Sequence, residues 1–203
     1  MMKKRDFVSI ERKEWDLEPD VEALEHASTL DFAEAEKAFK ILSDKGSVLS
    51  MANLGHRYEF RPRDYGGPDY SKAEFWYKKA IASGSAAATL PCGYFYLRRK
   101  NYEGARATFS IGVERKYAPA FVRLADLYIE GLGVAKDYTK ARDLLRDASQ
   151  LGNIWAKRAL ARMDMNIGRN PAIQIRGLIM CLIADLQFYL KKKRSPHSER
   201  LKK

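Results

Sequence analysis

The fold of this chain is decided by the stretch Leu124–Gly152, which reads LADLYIEGLGVAKDYTKARDLLRDASQLG. In both halves of the stretch, apolar residues recur three and four positions apart, so that they lie on one face of a helix. Gly131 and Gly133 separate the halves and permit the positive φ angles of a turn. Asp137 directly precedes the second half, where its side chain can cap the first N–H groups of a helix. The stretch therefore predicts two helices joined by a turn.

The second half of this pattern occurs four times in the chain. Each copy has Asp or Asn, then an aromatic residue, an alanine three positions later and a large residue four positions after the alanine. The copies begin at Asp31, Asp69, Asn101 and Asp137, and their alanines are Ala35, Ala73, Ala105 and Ala141. Eleven residues after these alanines stand Gly46, Gly84, Lys116 and Gly152. Glycine there would end a helix in the left-handed conformation, and agreement in several columns indicates an internal repeat.

The first half of the pattern also recurs, as a small residue followed three positions later by tyrosine. The copies are Gly55 and Tyr58, Gly93 and Tyr96, and Ala125 and Tyr128, while in a fourth copy Asp164 replaces the tyrosine after Ala161. We expect these helices over 47–60, 85–99, 117–130 and 153–166, and their capped partners over 31–44, 69–83, 101–115 and 137–151. Asp20–Ser28 resembles half of a further unit. The sequence thus predicts an all-α fold, a right-handed α-solenoid of about four helix–turn–helix units over residues 20–166.

Two stretches, Leu54–Gly84 and Leu124–Gly152, resemble Sel-one-like repeats (SLR), which are related to tetratricopeptide repeats. The family pattern is A-x-x-x-L-G-x-x-Y-x-x-G-x-G-V-x-x-D-x-x-K-A-x-x-W-Y-x-K-A-A-x-x-G. It is matched by Asp69, Lys72, Ala73, Trp76, Tyr77, Lys79, Ala80 and Gly84 in one stretch, and by Asp137, Lys140 and Ala141 in the other. The unit that begins at Asn101 lacks the G-x-G-V turn and the Lys-Ala pair. Over residues 20–165 the resemblance implies the SLR fold and a protein-interaction scaffold, because the family has no shared chemistry.

The net charge of +11 is concentrated in one segment of the chain. Residues 191–203 carry seven Lys or Arg and one Glu, whereas residues 1–30 carry five basic and eight acidic residues. No apolar stretch follows the basic residues near Met1, which is not the pattern of a secretory signal. Two cysteines among 203 residues exclude a disulfide scaffold. We expect a cytoplasmic protein, with the inner face of a membrane as an alternative place of attachment.

The sequence contains no recognisable catalytic or cofactor-binding motif. His56 has no Ser or Cys nucleophile motif beside it, and Cys92 falls in a packing column, as a small buried residue would. Phosphate-binding glycine loops are absent, and three histidines leave little material for a metal site. The basic tail 191–203 has no aromatic residue to stack on bases, which argues against nucleic-acid binding. We therefore expect no enzymatic activity, no cofactor and no metal.

The position directly after the small residue of each first helix is the best candidate for partner contact. It holds His56, Tyr94, Asp126 and Arg162. By the resemblance to tetratricopeptide repeats, this column faces the concave groove of a solenoid, where an extended peptide or a partner helix would bind. Arg98–Lys100 either flanks this groove or forms a solvated turn. The sequence therefore predicts a scaffold or adaptor that binds a partner protein.

Residues 1–19 form an acidic, mixed-charge lead segment. At the other end of the repeats, a further helix is predicted over 167–190, before the basic tail. Asn170 and Pro171 are typical of a helix start. Only Gly177–Ala184, eight residues, is free of charged and strongly polar side chains, which is too short to span a bilayer. Its apolar residues lie on all sides, so packing on the last repeat would cover only part of them. We expect residues 171–190 to contact a second copy, another protein, or a membrane surface with help from the basic tail.

Overall fold

Helices account for most of the described backbone. The structure is a computed structural model that describes residues 14, 15 and 17–167, of 164–167 the backbone alone, and seven single residues between 175 and 190. Over 17–167 the helices are α1 Val21–Thr29, α2 Phe32–Asp44, α3 Val48–Glu59, α4 Tyr70–Ala82, α5 Thr89–Arg98, α6 Tyr102–Glu114, α7 Ala118–Glu130, α8 Tyr138–Gln150 and α9 Ile154–Ile167, with a 3₁₀ turn at Arg63–Tyr65. This part of the chain contains no strand. The predicted fold class, an all-α fold of SLR-like helix–turn–helix units, is confirmed.

The chain divides into two compact units, Met1–Ala120 and Phe121–Lys203, and the boundary falls within α7. In the first unit, consecutive helices from α1 to α6 pack on each other. In the second unit, α8 packs on α9. Contact between neighbours in sequence is what each helix pair of a repeat needs in order to bury its apolar face. The predicted helix start at Asn170 and the basic tail 191–203 lie outside the described residues.

Each capped helix begins at the residue that the sequence pattern indicates. The side-chain oxygens of Asp31, Asp69, Asn101 and Asp137 accept hydrogen bonds of 2.9–3.0 Å from the backbone N–H three residues further on. Asp20 caps α1 in the same way, at 3.0 Å from the nitrogen of Ala23. Each bond satisfies one of the N–H groups that a helix start leaves without a partner. The four capped helices of the repeats therefore begin with the same local structure.

The small residue of each first helix lets the next helix approach closely. Gly55 on α3 faces the ring of Tyr77 on α4, and a Cβ added to Gly55 would lie 2.6–2.9 Å from three ring carbons. A Cβ added to Gly93 on α5 would overlap the ring of Phe109 on α6. Both rings are fully buried. Because real side chains do not approach this closely, glycine at these two positions sets the distance between the paired helices.

In α3 and α5, the tyrosine of the first helix adds a polar contact between helices. The hydroxyl of Tyr96 donates to Glu74 Oε1 at 2.7 Å, and Lys78 pairs with the same oxygen at 2.6 Å. The same contacts occur in the preceding repeat, among the residues 38 positions earlier, which are Tyr58, Glu36 and Lys40. The hydrogen bonds from Lys78 and Tyr96 lower the pKa of Glu74. The repeat therefore preserves a hydrogen-bonded network as well as apolar packing.

Two glutamates of the lead segment bind the starts of first helices. Glu14 accepts hydrogen bonds from the hydroxyl of Ser85 and the backbone N–H of Ala86 at 2.6 Å, just before α5. Glu18 accepts from the backbone N–H of Leu49 at 2.9 Å, in the first turn of α3. Carboxylates are stabilised at helix N-termini by the unpaired N–H groups and the positive end of the helix dipole. This part of the lead segment is therefore attached to the first unit.

Replacing Ala73 or Ala141 by leucine is expected to overpack a contact between helices, because both alanines are fully buried. The free energy of unfolding should fall by about 1–3 kcal/mol in each variant, as measured by thermal or urea unfolding. Phe75→Leu, at a position of α4 that is 57% exposed, is the matched control and should change this free energy by less than about 0.5 kcal/mol. Unchanged unfolding of both alanine variants would contradict the repeat register.

Replacing Lys116 by glycine is expected to stabilise the protein. At the ends of the other capped helices, Gly46, Gly84 and Gly152 have φ angles of 95°, 105° and 82°. Lys116 occupies the same left-handed region, with φ 58°. That conformation costs a residue with a Cβ about 1–2 kcal/mol, so Lys116→Gly should raise the free energy of unfolding by about 1 kcal/mol.

Lys45→Gly is the matched control, because Lys45 also ends a helix but has φ −81°. No strain is relieved there, and the added freedom of the unfolded chain should lower the free energy of unfolding by about 0.5–1 kcal/mol. Equal effects of the two substitutions in urea unfolding would contradict the strain assigned to Lys116.

Candidate functional site

The structure leaves the candidate contact column accessible within each unit. The small residues Gly55, Gly93, Ala125 and Ala161 are buried. The residues that directly follow them are His56 on α3, Tyr94 on α5, Asp126 on α7 and Arg162 on α9. His56 and Arg162 are exposed, whereas Tyr94 and Asp126 are partly exposed. His56 and Tyr94 belong to the first unit, and Asp126 and Arg162 belong to the second. In each unit, the first helices thus combine a buried column with an accessible one.

His56 carries an imidazole that contacts an aromatic ring. Its ring centroid lies 4.7 Å from that of Phe60, one helical turn further on. Desolvation by neighbouring side chains lowers the pKa of His56, and the nearby cations Arg98 and Arg57 act in the same direction against the opposing charge of Glu59. A lowered pKa favours the neutral imidazole at pH 7, which can donate and accept one hydrogen bond each.

In the second unit, Asp126 combines partial burial with an ion pair. Desolvation raises the pKa of its carboxyl group, and Glu130 adds to this effect. The guanidinium of Arg123 pairs with the carboxylate at 2.9 Å, and its positive charge acts in the opposite direction, lowering the pKa of Asp126. This carboxylate is therefore already paired within its own helix, so a partner that binds Asp126 must compete with Arg123.

An open cleft of about 510 Å³ lies in the first unit, at the C-terminal ends of α3 and α5. It is lined by Glu59, Phe60, Arg61, Pro68, Tyr70, Arg98 and Arg99. Three of these side chains are cationic and one is anionic, which gives the lining a formal charge of +2. Phe60 also contacts His56, so the cleft adjoins the contact column of this unit.

Glu59 is the centre of a buried ion cluster beneath this cleft. Its side chain is 3% exposed, and its Oε1 lies 2.6 Å from Arg98 Nη2 and 2.7 Å from Arg98 Nε. Arg99 approaches the same oxygen at 3.9 Å. The hydroxyl of Tyr77 donates to the other oxygen at 3.0 Å, and burial raises the pKa of Tyr77, so that it remains a donor. Glu59 thus fixes one guanidinium by a direct ion pair and attracts a second.

The two arginines are also held by aromatic rings. The guanidinium carbon of Arg99 lies 3.4 Å from the centroid of Tyr70 and 4.2 Å from that of Phe95. That of Arg98 lies 5.1 Å from the centroid of Phe60. Planar guanidinium groups stack well on aromatic faces, which restricts their orientation. The two cationic groups of the cleft are therefore held in place before any ligand binds.

Of the basic residues Arg98–Lys100, the first two line the cleft and the third lies exposed in a turn. Whether this cluster flanks the predicted groove stays a prediction. Glu59 was not among the predicted site residues, although the sequence contains an indication of its role. The position after the tyrosine of each first helix is glutamate in one repeat and apolar in the next two, where it holds Leu97 and Ile129.

Cys92 is a packing residue, as its column predicts. It is fully buried, and burial raises the pKa of its thiol to about 12, which suppresses the reactive thiolate. Among the described residues no three His, Cys, Asp or Glu side chains are grouped as a metal site would need. Within the same residues, no helix has the length and apolar character to cross a membrane.

Comparison with known proteins identifies the repeats. The Sel1 repeat family model matches residues 48–85 and 119–153. These two stretches of the chain match the Sel1 repeat. The resemblance inferred from the sequence is thereby confirmed, and the matched regions contain α3 with α4 and α7 with α8. Sel1 repeat proteins generally mediate protein–protein interaction, and the family is generally non-catalytic.

Curated Sel1 relatives match about half of the chain. The Arabidopsis thaliana protein described as an ERAD-associated E3 ubiquitin-protein ligase component, HRD3B, is 30% identical over 116 residues, which are 53% of this chain and 18% of that protein. Protein sel-1 homolog 2 of Mus musculus is 30% identical over 119 residues, 55% of this chain and 17% of that protein. The chain thus spans less than a fifth of the length of these relatives.

Solved structures share the fold. A protective antigen of uropathogenic Escherichia coli strains, which displays an SLR fold, has a TM-score of 0.62 and 26% identity, covering 79% of this chain and 36% of the antigen. A Sel1 repeat protein from Oxalobacter formigenes has a TM-score of 0.63 and 20% identity, covering 85% of this chain and 78% of that protein. These similarities support the Sel1 repeat fold and leave the partner to be inferred from the chain itself.

Proposed function

We propose that this protein is a non-catalytic scaffold or adaptor that binds a partner protein through the accessible positions of its first helices, on α3 and α5 in the first unit and on α7 and α9 in the second. The column holds His56, Tyr94, Asp126 and Arg162, and its accessibility beside a buried column is the observation that supports the proposal. Neutral, aromatic, acidic and basic groups follow one another along the repeats, which suits a partner with a varied sequence. The cytoplasmic location expected from the sequence stays a prediction.

A combined His56→Ala, Tyr94→Ala and Asp126→Ala variant is expected to stay folded and to lose the main partner that co-purifies with the wild type. The side chains removed are accessible, so the thermal unfolding midpoint should change little. Recovery of the partner is measured by affinity purification and quantitative mass spectrometry, with circular dichroism to check the fold.

The matched control removes three exposed side chains from the capped helices instead, Lys37→Ala, Phe75→Ala and Arg146→Ala. This control should retain the partner. If the control loses the partner and the column variant retains it, the binding surface lies on the capped helices and the proposal is wrong.

A second contact surface is favoured by the C-terminal stripe, defined as Ile175, Ile179, Leu182, Ile183, Leu186, Tyr189 and Leu190. All seven are helical in backbone, apolar or aromatic, and between 43% and 62% exposed. Their spacing by three and four positions places them on one face of a helix, as in the seam of a coiled coil. We propose that this stripe packs on the same stripe of a second copy. Attachment to a membrane surface, helped by the basic tail, is the alternative that the test distinguishes.

A Leu182→Glu and Leu186→Glu variant is expected to be a monomer where the wild type is a dimer, because two charges would be buried in the seam. Mass is measured by light scattering, and binding to liposomes with and without anionic lipid is measured in parallel. The control is Ile41→Glu, at an exposed position of α2, and it should remain a dimer. A wild-type protein that is monomeric in light scattering would contradict the dimer. If the wild type binds anionic liposomes and the Leu182→Glu and Leu186→Glu variant does not, the membrane alternative is supported.

A further inference from the structure

The repeats themselves indicate that the ion cluster around Glu59 is not required by the fold. In the next repeat, Leu97 stands in the place of Glu59 and Phe109 in the place of Tyr77. The same two repeat positions hold Ile129 and Leu145 in the repeat after that. Burying a carboxylate with its arginine partner costs desolvation free energy that an apolar pair does not. The first unit therefore carries a charged cluster where the repeat packs equally well without one.

The cluster leaves part of its cationic group available. Arg98 directs Nε and Nη2 to one oxygen of Glu59, and its side chain is 44% exposed. Two guanidinium groups share one carboxylate, so the cluster of Glu59, Arg98 and Arg99 has a charge of +1 at the floor of the cleft. An anion bound there would complete the charge balance.

The walls of the cleft are aromatic and accessible. Phe60 is 51% exposed and Tyr70 is 50% exposed, and each stacks on one of the two arginines. Because the two rings are already held in place, they can contact an apolar ligand group with little further loss of side-chain entropy on binding. A ligand that fits both features joins a carboxylate to apolar groups on either side. A peptide with acidic and apolar residues in alternation has this chemistry.

We propose that the cleft is a binding site for an Asp or Glu side chain of a partner peptide, with Arg98 as the hydrogen-bond donor and Phe60 and Tyr70 as apolar walls. This inference rests on the proposed function and specifies the chemical class of the partner segment. The planar guanidinium matches the planar carboxylate, and the low exposure of Glu59 keeps the arginine in place. Peptide binding at this cleft would extend contact from the column through Phe60 and His56.

Binding is tested with a fluorescein-labelled hexapeptide, Gly-Leu-Glu-Leu-Glu-Gly, and its glutamine counterpart, Gly-Leu-Gln-Leu-Gln-Gly. Fluorescence anisotropy gives the affinity, and ¹⁵N-detected NMR of the arginine Nε–H groups gives the place of binding. We expect affinity for the glutamate peptide at least about tenfold above that for the glutamine peptide, as for a charge-assisted hydrogen bond. The Nε–H signals of Arg98 and Arg99 should shift on titration.

Two variants separate binding from folding. Arg98→Lys keeps a cation beside Glu59 and removes the planar fork, so affinity for the glutamate peptide should fall about tenfold. A triple variant, Glu59→Leu, Tyr77→Phe and Arg98→Gln, copies the apolar pair of the next repeat and leaves the net charge unchanged. It should fold, since Arg99, the one cation that loses Glu59 in this variant, is partly exposed and stays stacked on Tyr70 and Phe95. It should lose the glutamate preference because the hydrogen-bond donor Arg98 is gone. The control Arg146→Lys, on α8 in the second unit, should bind as the wild type does.

Three results would overturn the proposal. One is equal affinity for the two peptides, and another is NMR shifts confined to residues outside the cleft. The third is tighter binding of a single-stranded oligothymidylate than of the glutamate peptide, which would assign the cleft to phosphate groups of nucleic acid. The peptide could fail to bind in the cleft while the combined His56→Ala, Tyr94→Ala and Asp126→Ala variant still loses the partner. In that case the cleft is not the acidic-peptide site, and the proposed scaffold function is retained.

Discussion

The rest of the structure depends on one contact, in which a glycine of one helix faces an aromatic ring of the next. The ring of Tyr77 lies directly over Gly55, where a Cβ would be 2.6 Å from the nearest ring carbon. This close approach carries the hydroxyl of Tyr77 to within 3.0 Å of Glu59, one helical turn beyond Gly55 on α3. Glu59 in turn holds Arg98. The packing constraint of the repeat therefore also positions the charged groups of the cleft.

Variation along the repeats obeys the same constraint. In the pairs α3 with α4 and α5 with α6, the large residue is an aromatic ring, Tyr77 or Phe109, and the small residue is glycine. In the next repeat the large residue is Leu145 and the small residue is Ala125, so a smaller side chain is matched by an added methyl group. Interiors are closely packed, and substitutions that conserve total volume are tolerated best. The two columns thus vary together to keep the helix spacing of the repeat.

The sequence predicts the helices well because their boundaries are local. An Asp or Asn cap binds an N–H only three residues away, and the left-handed end of a helix is a property of one residue, including Lys116. The cleft is different, since Glu59 and Arg98 are 39 positions apart and meet only when the helices pack. Its indication was a departure from the repeat, a glutamate where the following repeats have Leu97 and Ile129. In this chain, that departure is the feature from which the proposed binding site is argued.

The N-terminal and C-terminal ends of the first helices differ in their capacity to bind an anion. At the N-terminal ends of α5 and α3, Glu14 and Glu18 already occupy the N–H groups that attract anions. At the C-terminal end of α5, Arg98 and Arg99 are drawn toward the negative end of the helix dipole and are only partly neutralised by Glu59. An acidic segment of a partner would find the first kind of site filled by the chain itself. In the proposed complex, the lead segment therefore directs an acidic partner away from the N-terminal ends of α3 and α5 and toward the cationic cleft.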